Sequence, residues 1–165
     1  MTAARRSWKS RREATLYFAV LASLGLGSLP AGSATTERVV SDPRSGLAIG
    51  GYDPVAYFTD AAPLAGRAEF ELTFAGVVWR FRNEGNRAAF VANPEVFMPG
   101  FGGYDPMSVA RGASAPGYAE LWVINEERLY LFFTDPARAA FVSDPGPALE
   151  AAERAWPAVL RTLSP

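Results

Sequence analysis

Two stretches of the chain alternate large apolar residues with polar ones at a period of two, the pattern of a strand that buries one face. The first covers residues 69–81 and is interrupted at Ala75-Gly76, while the second covers residues 121–133 and is interrupted at Asn125-Glu126-Glu127. Glycine and polar residues at such interruptions are typical of turns between antiparallel strands. Each stretch therefore predicts a β-hairpin.

The apolar spacing changes to that of a helix after each hairpin and again at the C-terminus. Helices are predicted from Asn83 or Glu84 to Ala92, and from Pro136 to Val142 with Asp135 as the N-cap. Apolar residues also recur at helical spacing between Pro147 and Leu163, where Pro157 is expected to kink or restart the helix.

Sequence repetition links the two hairpin-plus-helix segments. Residues 77–94 align without a gap with residues 128–145, and both contain RAAFV. The pentapeptide GGYDP occurs at 50–54 and again at 102–106. A match of this length predicts that one structural unit is used twice.

These elements predict an α+β fold: a single small domain of two duplicated β-hairpin-plus-helix units, closed by a C-terminal helix. The internal repeat would cover about 50–97 and 102–148. Aromatic side chains at the alternating positions can fill a core without covalent cross-links. The predicted core is Phe74, Trp79, Phe81, Phe90, Trp122, Tyr130, Phe132 and Phe141.

Each GGYDP pentapeptide ends in Asp-Pro, which is a helix-start signal. Asp53 and Asp105 are predicted to cap short helices from Val55 to Thr59 and from Met107 to Arg111. For a cap alone, asparagine would serve nearly as well as aspartate. The functional alternative makes the two aspartates metal ligands or acid/base groups. The loops would then meet in an aromatic pocket floored by both carboxylates.

The N-terminus has the features of an export signal. Basic residues between Arg5 and Arg12 precede an apolar run over 14–29, and Gly32-Ser33-Ala34 follows as a small-residue cleavage site. An uncleaved anchor is the alternative, but the apolar run is shorter than the roughly 20 residues that span a bilayer. A signal peptide over 1–34 is therefore expected, with Sec and twin-arginine export both open.

Cleavage near Ala34 predicts a periplasmic or secreted protein without a stable membrane span. It would begin with a flexible segment over 35–46 and continue as a domain over 47–165. The mature chain would carry 11 basic against 16 acidic residues, a net charge of −5. Because nucleic-acid binding rests on basic surfaces, it is not expected.

Cysteine and histidine are both missing from the 165 residues. This excludes disulfides, zinc sites with thiolate or imidazole ligands, and nucleophile pairs that use either group. The ligands that remain for a metal ion are the oxygens of Asp, Glu, Tyr and backbone carbonyls.

Three segments resemble bacterial exported proteins of the YHS-domain family: GYDPVAYF, FVANPEVFMPGFGGYDP and ERAWPAVL. The resemblance covers about residues 46–160. It implies a scaffold related to small metal-binding finger domains, with metal ligands at two cysteine positions. Arg82 and Asn86 occupy those positions here, and Asp105 replaces the cysteine of a later glycine motif. The resemblance therefore implies the scaffold without those cysteine ligands.

Three functions remain open, and a non-catalytic binding or interaction module is favoured. Its partner would be a small molecule, an envelope protein or a second copy of the chain. The first alternative is an oxygen-ligand site in which Asp53 and Asp105 hold a hard cation, since no other cofactor is expected. The second is a hydrolase that uses carboxylates alone. The candidate ligand pocket comprises Tyr52, Asp53, Tyr57, Phe101, Tyr104, Asp105 and Trp122.

Overall fold

The structure is a computed structural model that describes residues 37–163. The predicted signal peptide over 1–34 lies outside these residues. The described part belongs to one compact unit that combines helices with two small antiparallel sheets, so the α+β assignment is confirmed. None of the helices within 37–163 has both the length and the apolar character needed to cross a bilayer.

Both predicted hairpins are present. Strand β1 (Arg67–Phe74) pairs with β2 (Val77–Phe81), and β3 (Tyr118–Asn125) pairs with β4 (Arg128–Phe132). Each hairpin has an irregular register near the start of its first strand, between Arg67 and Glu71 and between Tyr118 and Trp122. The two irregularities fall at equivalent positions of the sequence repeat.

Short helices occur in the same order in both halves, with one helix before each hairpin and at least one after it. The first half contains α1 (Ala56–Thr59), α2 (Glu84–Ala92) and α3 (Pro94–Phe97), and the second contains α4 (Pro106–Val109) and α5 (Asp135–Ser143). This recurrence agrees with the sequence repeat, while descent of the two halves from one duplicated unit stays a prediction.

One predicted helix cap is wrong. The Thr134 side chain, not Asp135, caps α5 by accepting a hydrogen bond from the Ala137 amide at 3.2 Å. Asp135 instead lies in the first turn and pairs with Arg138 at 3.3 Å. The predicted cap was one residue late because Pro136 occupies the second helical position, not the first.

Helix α6 (Pro145–Thr162) closes the domain and runs through Pro157 without a restart. The expected restart is therefore wrong. Pro157 is exposed, and α6 buries Ala152 and Val159 against Tyr104, Val109 and Val40.

The main core combines buried residues of β2 and α2 with Leu129 and Leu131 of β4, so both halves contribute to it. Most predicted core residues are buried, but Phe74 is 38 % exposed and Trp122 only half-buried. Phe74 lies at the end of β1, most of which faces solvent, and it contacts Phe90 by its ring edge. The prediction that Phe74 is a core residue is therefore wrong.

Two residues of the segment before residue 47 are packed into the domain, although the sequence predicts a flexible stretch over 35–46. Val39 and Val40 are buried. The Val40 amide donates to the Gly102 carbonyl at 2.8 Å, and the Val40 carbonyl accepts from the Ile49 amide at 2.9 Å. This short segment therefore joins the two pentapeptide loops.

Candidate functional site

Asp53 is fully buried and accepts hydrogen bonds at both carboxylate oxygens. Its Oδ1 accepts from the amides of Val55 at 2.8 Å and Ala56 at 3.4 Å, at the start of α1. Its Oδ2 accepts from the Arg82 amide and from Asn86 Nδ2, both at 2.7 Å. The carboxylate therefore ties the start of α1 to the end of β2 and the first turn of α2.

Asp105 has the equivalent role in the second half and is 1 % exposed. Its Oδ1 accepts from the Met107 amide at 2.8 Å, and its Oδ2 accepts from the Phe133 amide at 3.2 Å. It thereby ties α4 to the residue that follows β4. Asp105 is the N-cap of α4, as predicted, whereas Val55 occupies the N-cap position of α1 and Asp53 accepts from the amides of Val55 and Ala56. Each aspartate also makes a second, long-range connection.

The glycine pairs before the aspartates adopt left-handed backbone conformations. The φ angles are 67° and 83° at Gly50 and Gly51, and 63° and 91° at Gly102 and Gly103. Glycine adopts such angles without the strain that a Cβ adds. A Cβ at Gly102 would also stand 2.1 Å from the Arg38 carbonyl oxygen, so the pair is required for the loop to pass the N-terminal segment.

Three tyrosines of the candidate pocket donate hydrogen bonds to different places. The Tyr52 hydroxyl donates to Glu120 Oε1, the Tyr57 hydroxyl to the Ala119 carbonyl at 3.0 Å, and the Tyr104 hydroxyl to the Glu37 carbonyl at 2.6 Å. The hydrogen bond to Glu120 raises the pKa of Tyr52, and burial raises the pKa of Tyr57 and of Tyr104. All three stay protonated at neutral pH.

An open cleft of about 320 Å³ lies beside Tyr52. We call it the tyrosine cleft and define it by Tyr52, Tyr118, Phe133, Glu120 and Asp42. The rings of Tyr118 and Phe133 are stacked, with centroids 5.5 Å apart and planes inclined by 17°. Tyr118 is 54 % exposed and Phe133 is 43 % exposed, so two large rings meet solvent at one wall.

Three hydrogen bonds fix the walls of the tyrosine cleft. Tyr57 holds the Ala119 carbonyl, between Tyr118 and Glu120, and Asp105 holds the Phe133 amide. Tyr52 fixes the Glu120 side chain. Three residues of the sequence-predicted pocket therefore act at this cleft, but only Tyr52 lines it directly.

A larger groove, of about 660 Å³, lies on another part of the domain. Its apolar walls include Met98, Phe101 and Trp156, and the Phe101 and Trp156 rings pack edge to face at 5.7 Å. Glu95 and Arg128 line the same groove, so its charges are of both signs. We call it the Phe101 groove.

The seven predicted pocket residues do not meet in one pocket. Tyr52 lines the tyrosine cleft, Phe101 the larger groove and Tyr104 a third hollow of about 280 Å³. Trp122 packs edge to face on Tyr57 at 5.4 Å, beneath the surface. The predicted floor of two aspartates is wrong because both carboxylates are closed off from solvent and face donors.

Sequence reasoning missed Tyr118, Glu120 and Phe133. Tyr118 and Glu120 alternate on β3 and thus lie on one face, and Phe133 follows Phe132 where a buried face would end. An extension of the β3 alternation to residue 118 would have found the first two. The Tyr118–Phe133 contact depends on strand register, which the sequence pattern leaves open.

Arg82 and Asn86, which occupy the positions where the family resemblance implies metal ligands, both contact Asp53. The backbone amide of Arg82 and the side-chain amide of Asn86 both donate to Asp53 Oδ2. The hydrogens of these donors point toward the carboxylate, where a cation would be repelled. Among residues 37–163, no group of three or more Asp, Glu, His or Cys side chains is placed to hold a metal ion. These residues therefore do not fit a metal at Asp53.

Comparisons with protein-family models, with curated proteins and with solved structures gave no match for this chain.

Proposed function

We propose that the protein is an exported, YHS-like binding module without catalytic activity, and that the tyrosine cleft is its binding site. The observation that carries this proposal is the use of the buried carboxylates. Asp53 and Asp105 are the buried acidic residues of the described chain, and both are engaged by donors that tie helices to strands. Neither is available for acid/base chemistry.

The structure of the cleft supports binding as its role. Rigid walls reduce the entropy lost on binding, and the walls here are held by Tyr57, Asp105 and Tyr52. The Phe101 groove is larger, but its charged residues Glu95 and Arg128 occupy exposed positions. We therefore prefer the tyrosine cleft because its polar groups are fixed and its rings are exposed, although its volume is smaller.

The site is tested by a small-molecule screen on the purified protein with ligand-detected NMR. Each hit is then measured in Tyr118→Ala, which changes the cleft, and in Arg128→Ala, which changes the Phe101 groove. We expect hits that weaken in Tyr118→Ala and bind normally to Arg128→Ala. The reverse pattern would contradict the cleft assignment, and saturable turnover of any compound would contradict the absence of catalysis.

Export is a separate part of the proposal and rests on the basic and apolar pattern of the first 34 residues. N-terminal sequencing of protein from the periplasmic fraction is expected to begin near Thr35. A sequence that begins at Met1 or Thr2 on membrane-bound protein would overturn it.

A further inference from the structure

We infer that the tyrosine cleft binds a small organic cation that carries a trimethylammonium group. This inference rests on the proposed function, since it names the ligand class of the same site. The volume of the tyrosine cleft, about 320 Å³, is at the low end of the roughly 300–1,000 Å³ range of ligand sites, so a small solute fits better than an extended one.

Aromatic faces provide the first argument. Tyr52, Tyr118 and Phe133 all line the cleft. Aromatic rings attract cations through their quadrupole, and this attraction requires no hydrogen-bond acceptor. A methylated ammonium group has no N–H to satisfy, which suits walls made largely of rings and backbone.

Charge provides the second argument. Among residues 37–163, the ionisable side chains that line the cleft, besides tyrosine, are the carboxylates of Glu120 and Asp42, and none of the arginines in that range lines it. Hydrogen bonds, first of all from the Ser45 amide, lower the pKa of Asp42 and keep it ionised. Arg44 also lies close enough to lower that pKa, but its side chain does not line the cleft. The lining therefore favours a positive ligand over a neutral or negative one.

The position of Glu120 provides the third argument. The Tyr52 hydroxyl donates to Glu120 Oε1 and so holds the carboxylate at the wall of the cleft. The Glu120 side chain stays at the surface, where a ligand can reach it without a buried, unpaired charge. Tyr118 and Glu120 lie on one face of β3, so the fixed carboxylate lies beside the rings that would contact the cation.

The probes are choline and its neutral isostere 3,3-dimethylbutanol, measured with the purified protein by isothermal titration calorimetry. Cation–π attraction at a partly exposed site predicts that choline binds about tenfold more tightly than the isostere. Glycine betaine, whose carboxylate would meet Glu120, is expected to bind more weakly than choline. Raising the salt concentration should weaken choline binding and leave the isostere unchanged.

Glu120→Gln is the most informative variant because glutamine still accepts a hydrogen bond from Tyr52 while the charge is removed. We expect choline affinity to fall about fivefold, as for a partly exposed charge pair. Glu69→Gln is the matched control, since Glu69 occupies the equivalent position of the first hairpin and its nearest cation is Arg67. It should bind choline as the wild type does.

The outcomes separate this inference from the function on which it rests. If the isostere binds as tightly as choline and both weaken in Tyr118→Ala, the cleft remains a binding site and the cation inference is wrong. If Glu120→Gln binds choline normally, the inference is also wrong. If neither choline nor the isostere binds and the screen finds no ligand, the proposed binding function is wrong as well.

Discussion

Asp53 and Asp105 show how one residue can serve both local and long-range structure. Each uses one oxygen for the amides at the start of a short helix and the other for an amide beyond the hairpin. The helix cap can be predicted from the local Asp-Pro pair. The long-range hydrogen bond to the second carboxylate oxygen cannot be predicted in this way, because it depends on where the hairpin folds back.

Asparagine should be a poor replacement for Asp53, contrary to the expectation for a simple cap. All four partners of Asp53 are N–H donors, so an amide NH₂ would face a donor whichever way it turned. We expect Asp53→Asn to lower the free energy of unfolding by about 3 kcal/mol and Asp105→Asn, with fewer donors, by about 1–2 kcal/mol. Urea denaturation measures both, with exposed Asp144→Asn as the control. Wild-type stability in Asp53→Asn would contradict the clamp.

Tyr57 should make the protein less stable at alkaline pH. Burial raises the pKa of Tyr57 far above its ordinary value of 10.0. At a pH between the two pKa values, Tyr57 is deprotonated in the unfolded chain and still protonated in the folded chain. The contribution of Tyr57 to the free energy of unfolding is therefore complete below pH 10 and is lost as the pH rises above 10. A slope of about 1.4 kcal/mol per pH unit is expected for one such tyrosine.

Tyr57→Phe tests this dependence. The variant should be less stable at pH 7 by about 1 kcal/mol, through loss of the hydrogen bond to Ala119, and its decline above pH 10 should be shallower. Tyr52, whose pKa the hydrogen bond to Glu120 raises, and Tyr104 and Tyr130, whose pKa values burial raises, contribute to the decline that remains. Parallel stability curves for the two proteins would show that Tyr57 does not cause the effect.

The hairpins and the helices after them follow from apolar spacing alone. Trp79 and Phe81 alternate on β2 and are fully buried, as the spacing predicts. Apolar spacing wrongly predicts Phe74 as a core residue because most of β1 faces solvent. The restart expected at Pro157 is also wrong, because this proline lies on the exposed side of a continuous α6. Such exceptions depend on which faces the assembled domain covers, which a single segment does not specify.

The start of α5 offers a direct test of its revised cap. Thr134→Ala removes the hydrogen bond to the Ala137 amide and is expected to lower stability by about 1 kcal/mol. Asp135→Ala removes only an exposed pair with Arg138, worth about 0.5 kcal/mol or less. Thermal unfolding of the two variants decides between them. A larger loss in Asp135→Ala would restore Asp135 as the principal stabilising residue.

The domain as a whole depends on a segment that its sequence pattern does not reveal. Val39 and Val40 are only two apolar residues among polar ones, too few to show a period, yet they are buried and bridge both pentapeptide loops. The candidate site shares this dependence on assembly. Tyr118, Glu120 and Phe133 are brought together by the pairing of β3 with β4. Tyr52 comes from the first loop and joins them only through tertiary packing.

Shortening the chain tests the structural role of this segment. A protein that begins at Leu47 loses the buried Val39 and Val40 and their backbone hydrogen bonds, and should be about 4 kcal/mol less stable than one that begins at Thr35. Denaturant midpoints of the two proteins provide the comparison. Equal midpoints would show that residues 35–46 are the loose tail that the sequence suggests.

The central claim is that the tyrosine cleft, and not the Phe101 groove, is the binding site. A ¹H–¹⁵N NMR titration with choline tests it directly, because glycine amides mark both places. Gly50 and Gly117 line the cleft, while Gly76 and Gly102 line the groove. The account predicts saturable shifts at Gly50 and Gly117 with Gly76 and Gly102 unmoved. Shifts at Gly76 and Gly102 alone would contradict it, and no shift at any of the four would contradict the inferred binding of choline.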